Sequence, residues 1–83
     1  MIKIKKIINT CQGCPSQWEG TTVDNRNIYI RYRWGHLSIC LRPSGEEILD
    51  LSYGDNWDGI MTYNALKELT EGILELPEKE DFL

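Results

Sequence analysis

Eighty-three residues suit one small domain, and a hydrophobic fraction of 41% with eight aromatic residues excludes a disordered chain. No apolar run approaches the ~18 residues of a membrane helix, and Met1-Ile-Lys-Ile-Lys-Lys-Ile-Ile interleaves charge with isoleucine, unlike a signal peptide. The net charge of −4 is unevenly divided: residues 1–42 carry seven cations and two anions (+5), residues 43–83 two cations and eleven anions (−9).

In chain order, residues 1–8 alternate as a strand, with Ile2, Ile4 and Ile8 on one face and Lys3, Lys5 and Ile7 on the other. Residues 9–16 are turn chemistry, 17–23 read as a short strand, and Asp24-Asn25-Arg26-Asn27 makes a hairpin connection. The clearest strand is 27–34. Its even positions Ile28, Ile30, Tyr32 and Trp34 share one face, and Tyr29, Arg31 and Arg33 share the other. Gly35-His36 forms a tight connection, residues 37–42 alternate with Leu37, Ile39 and Leu41 inward, and Pro43-Ser44-Gly45 turns the chain. Residues 47–53 form a further strand, with Leu49, Leu51 and Tyr53 on one side.

Beyond residue 54 the period changes. Thr62 is a candidate N-cap, Leu66, Leu69, Ile73 and Leu76 recur at helical spacing, Gly72 weakens the last turn and Pro77 ends it. The expected fold class is α+β in a single domain. Four or five antiparallel strands lie within residues 1–53, followed by a loop at 54–61, one helix over about 62–76 on one sheet face, and an acidic tail at 77–83. One helix covers only part of such a sheet, so the opposite face is left for solvent, a ligand or a second subunit. At this size roughly 60–65% of the chain surface is buried on folding, which makes self-association an expected source of further burial.

That opposite face is the first place to look for chemistry. Arg31 and Arg33 project from one strand beside Tyr29, Arg42 is placed to project from its hairpin neighbour, and the planar guanidinium fork suits phosphate oxygens. An adjacent ring offers a base a stacking surface. Trp18 and Trp57 lie in polar settings, Ser16-Gln-Trp-Glu-Gly20 and Asp55-Asn-Trp-Asp58, where a purely core tryptophan is less expected. Gln17, Glu19, Asp55 and Asn56 could read a base edge. The plainer account pairs Arg31, Arg33 and Arg42 with Asp50, Glu46 or Glu47 across strands, as solvation of the sheet.

Cys11-Gln-Gly-Cys14 with His36 and Cys40 could close a Cys3His zinc site, although the usual second knuckle is absent. Three cysteines, an odd number with no export signal, fit a reducing cytosol. A single histidine, with no nucleophile elbow, phosphate loop or His-Glu-x-x-His, argues against the common hydrolases and transferases. Glu19 or Asp58 as an isolated base adds little. The acidic half could instead mimic nucleic acid and make the protein a decoy inhibitor of a host protein.

Pro15-Ser-Gln-Trp-Glu-Gly20, followed by Ile28-Tyr-Ile-Arg-Tyr-Arg-Trp-Gly35 and Leu37-Ser38, resembles a signature of small phage and bacterial proteins. That signature is similar to the anti-CBASS four type of cyclic-dinucleotide sponge. The match covers residues 14–38 well and the rest only in general layout. The resemblance implies a small non-enzymatic homo-oligomer, a dimer or tetramer in the host cytoplasm, that sequesters cyclic dinucleotides such as 3′,3′-cyclic GMP-AMP. It also implies roles: Arg31 and Arg33 on phosphates, Trp18 and Tyr29 stacked on bases, Gln17 and Glu19 on a base edge. Trp57 lies outside the signature and joins the ligand set on its loop setting alone. No cofactor, no long nucleic acid and no membrane is expected. The alternative is a small interaction module, zinc-stabilised through Cys11, Cys14, His36 and Cys40, or the acidic decoy.

Overall fold

The structure, a computed structural model, describes residues 1–11, 16–54 and 60–83. Five strands come first: β1 (Ile2–Cys11), β2 (Ser16–Thr22), β3 (Asn27–Arg33), β4 (His36–Arg42) and β5 (Glu47–Ser52). Helix α1 (Tyr63–Leu69) and two short strands, β6 (Leu74–Glu75) and β7 (Asp81–Phe82), complete the chain. The first five strands form an antiparallel meander. The sheet order is β5-β4-β3-β2-β1-β6, with β7 also on β1. Both β6 and β7 run parallel to β1. The result is a mostly β, curled, mixed sheet of seven strands with one short helix, not the expected α+β fold of four to five antiparallel strands.

The difference arises after the helix. Thr62 caps its N-terminus as expected, its hydroxyl accepting from the Ala65 amide at 3.1 Å. The helix stops at Leu69 rather than near residue 76. The Thr70 hydroxyl donates back to the Leu66 carbonyl at 2.8 Å, and Gly72 takes a φ of +83°, which reverses the chain direction. Residues 74–82 then run along β1. Leu74 pairs with Ile2 and Asp81 with Ile8, so the acidic tail is in part an edge of the sheet.

One sheet face carries the core. Trp18, Ile30, Leu37, Ile39 and Leu66 are fully buried, and Met61, Tyr63 and Leu74 close over them. Each such apolar side chain contributes about 1.5–3 kcal/mol by leaving water. The Met61 amide donates to the Ser16 hydroxyl at 2.9 Å, which ties the approach to α1 onto the start of β2.

Three residues depart from their expected faces: Ile7, Ile8 and Trp34. The register of β1 on β2 shifts between Ile4 and Lys6, a bulge that changes the phase of alternation. Ile4 and Ile7 therefore share the core, whereas Ile8 falls opposite Glu19 on the other face. Trp34 does not continue the buried row of Ile28, Ile30 and Tyr32. It and Gly35 form a two-residue turn between β3 and β4 with φ of +57° and +67°, and Trp34 is an exposed residue.

Candidate functional site

The strand register assigns the candidate residues to faces. Antiparallel partners project to the same side, so the pairings Gln17–Arg31, Arg31–Ser38 and Ser38–Asp50 make one row across the outer face. Beside it run Ile8, Glu19, Tyr29 and Cys40. A third row is Lys6, Thr21, Asn27 and Arg42, and Arg33 faces His36 at the turn end. Five of the seven candidate residues, Gln17, Glu19, Tyr29, Arg31 and Arg33, thus share one face because each is an odd position in β2 or β3.

Trp18 does not join them. It pairs with Ile30 on the core face and is fully buried, its indole Nε1 donating to Glu80 Oε1 at 3.1 Å. Its polar neighbours in sequence are the outward residues of the same strand. The expected stacking role of Trp18 is therefore replaced by a packing role. Trp57, with Asp55 and Asn56, lies outside the described residues.

Two depressions indent the outer face. One, of about 420 Å³, is bordered by Lys6, Glu19, Asn27, Tyr29 and Arg42. The Arg42 guanidinium lies over the Tyr29 ring, 4.8 Å from its centre. The other, of about 370 Å³, is bordered by Arg31, Arg33, Trp34, His36 and Ser38. Here the Arg33 guanidinium sits 5.2 Å from the centre of the Trp34 ring. Such cation–ring contacts orient the guanidinium plane and leave its N–H edges available to an anion. Arg42 joins the face from the hairpin neighbour as expected, whereas Lys6 and Trp34 are not among the expected site residues. The bulge that brings Lys6 onto this face leaves no mark in the alternation pattern.

The cross-strand pairing expected to neutralise the arginines is not made. Asp50 is engaged by His36, and the lysine and arginine ion pairs among the described residues are Lys3–Glu75 and Arg26–Asp24. The Thr22 hydroxyl and then Arg26 hold the Asp24 carboxyl below its usual range, away from this face. Among the described residues, Arg31 Nε is buried without a hydrogen-bond partner, an arrangement that normally costs free energy. The face thus offers guanidinium groups not matched by carboxylates, which is what an anionic ligand requires.

The zinc arrangement meets a geometric obstacle. His36 and Cys40 are four residues apart in one extended strand, so their backbones are separated by ~13 Å, too far to share one tetrahedral ion. Among the described residues no group of three histidine, cysteine, aspartate or glutamate side chains could hold a metal ion. Cys11 and Cys40 are free thiols, and Cys14 lies outside the described residues. Among the described residues, no helix is long and apolar enough to cross a membrane.

Compared with protein-family models, curated proteins and solved structures, the chain matches none.

Proposed function

We propose that this protein binds a cyclic dinucleotide such as 3′,3′-cyclic GMP-AMP and holds it unaltered, silencing bacterial antiviral signalling in the host cytoplasm. The observation that carries the reading is the outer face on which Arg31 and Arg33 stand unmatched by carboxylates beside Tyr29, Gln17 and Glu19. Arg31 and Arg33 are alternate residues of one strand, ~6–7 Å apart along it, and each presents a fork to phosphate oxygens. Tyr29 supplies a ring for a base. Glu19, a poor neighbour for phosphate, suits the N1–H and amino donors on the edge of guanine, and Gln17 both donates and accepts.

Sequestration asks for affinity and no bond making or breaking, which agrees with the lack of a nucleophile–base motif in the sequence. The resemblance of residues 14–38 to the sponge signature supports the same ligand class. A cyclic dinucleotide has near two-fold symmetry, so two copies of the chain could present this face to its two halves, in a dimer or tetramer.

The test is calorimetric titration of 3′,3′-cyclic GMP-AMP into the wild-type protein and into Arg31→Ala and Arg33→Ala. Loss of charge-assisted bonds worth ~1.5–3 kcal/mol each weakens binding about 10- to 100-fold per substitution. Equal affinity in all three proteins would remove the arginines from the site. An acidic decoy would keep its inhibitory effect in both variants.

A further inference from the structure

Trp34 occupies a position that ordinary turn chemistry disfavours. A two-residue hairpin turn with positive φ at both central positions prefers Asn-Gly or Asp-Gly, because these residues tolerate left-handed backbone. Here the first position holds the bulkiest side chain, at φ +57°. A bulky residue in this region is a conformational outlier that costs stability. Nor does burial compensate, since the residue is 55% exposed. An exposed, strained tryptophan therefore needs another reason.

Its surroundings supply one. One face of the indole carries the Arg33 guanidinium, and the ring borders the depression shared with Arg31, Arg33, His36 and Ser38. Arg31, whose Nε is buried and among the described residues without a hydrogen-bond partner, borders the same depression. A flat ring and two guanidinium groups thus border one small hollow, while Trp18 lies on the far side of the sheet.

We propose that Trp34 is the base-stacking residue at this end of the sheet face, with Arg33 on one side of its ring and a nucleobase on the other. This assignment rests on reading the face as a nucleotide site. It adds that the turn between β3 and β4 gives up backbone stability to hold an aromatic platform beside Arg31 and Arg33. Backbone strain of this kind is characteristic of functional sites.

The experiment compares wild type, Trp34→Asn and Trp34→Phe by thermal melting, light-scattering mass and calorimetric titration with 3′,3′-cyclic GMP-AMP. Asparagine relieves the turn, so that variant melts at or up to about 4–8 °C above wild type. It also loses the platform and binds about 5- to 100-fold more weakly. Phenylalanine keeps a ring and stays within a few-fold of wild type. The subunit number is the same in all three.

Wild-type affinity in Trp34→Asn would overturn the assignment while leaving the site reading intact, provided Arg31→Ala and Arg33→Ala still bind weakly. A lower melting temperature or an altered mass in Trp34→Asn would make the residue a packing or interface element and would overturn the assignment equally. No binding by the wild-type protein would overturn both this assignment and the reading beneath it.

Discussion

The indole of Trp18 donates its N–H to the carboxylate of Glu80 across 62 positions of sequence, and the same Oε1 accepts from Asn9 Nδ2 at 2.7 Å. This joint fixes the acidic tail to the sheet. Asn9 also receives the Leu83 amide on its carbonyl, and Asp81 and Phe82 pair with the end of β1. A tail that composition alone describes as solvated charge is thereby part of the fold.

Glu80→Ala strands two donors, the indole N–H and the Asn9 amide, and costs about 1–3 kcal/mol of stability. Trp18→Phe keeps most of the buried ring but removes the donor, and lowers stability as well. Neither changes nucleotide affinity at temperatures where the variant is folded. Chemical denaturation paired with titration checks this, and a selective loss of affinity in Trp18→Phe would return that residue to the site.

Gly20 sits where β1, β2 and β3 meet on the core side. A Cβ there would lie 2.5 Å from the Lys6 carbonyl oxygen and 3.1 Å from Ile7 Cδ1. The backbone cannot yield without shifting the β1 bulge, so Gly20→Ala costs about 1–3 kcal/mol. Urea denaturation measures it, and an unchanged midpoint would show that the bulge moves freely.

Tyr63 predicts an alkaline limit. Burial, and secondarily the negative charge of Glu80, raise its hydroxyl from the ordinary 10.0 to about 12. That hydroxyl donates to the Pro77 carbonyl at 2.6 Å. The folded state therefore holds the proton more tightly than the unfolded state, and folding stability falls as pH rises from about 10 towards 12. The contribution is fully present below pH 10. Tyr63→Phe melts lower at neutral pH through loss of the hydrogen bond, but its melting temperature declines less steeply above pH 10. Parallel slopes for the two proteins would contradict the assignment.

Much of the sheet is legible in the sequence, and the reasons for the remainder are local. Ile28, Ile30 and Tyr32 alternate with Tyr29 and Arg31 without interruption, so β3 and its two faces follow directly from period two. Asn25, at φ +68°, turns the β2–β3 hairpin as its residue type suggests. The β1 bulge is not legible, because Lys5 and Lys6 are both polar and either phase fits the pattern. Leu69, Ile73 and Leu76 keep helical spacing, yet the last two belong to a segment that leaves the helix at Thr70 and joins β1. Strands of two residues are too short to show any period.

The candidate site divides in the same way. Gln17, Glu19, Tyr29, Arg31 and Arg33 come together because their strand parity is plain. The polar neighbours of Trp18 suggest an exposed ring, although its position between Gln17 and Glu19 gives it the opposite parity, and the indole is in the core. The parity of Trp34 continues an apolar row and so hides it from a period-two reading, whereas the turn geometry takes it out of the strand.

The central claim, retention without chemistry, is tested most directly by a release measurement. Protein incubated with 3′,3′-cyclic GMP-AMP is freed of excess ligand and heat-denatured, and the supernatant is examined by mass spectrometry. The account predicts stoichiometric recovery of the intact cyclic dinucleotide. A linear or hydrolysed product would make the protein an enzyme, and an empty supernatant would contradict nucleotide binding itself.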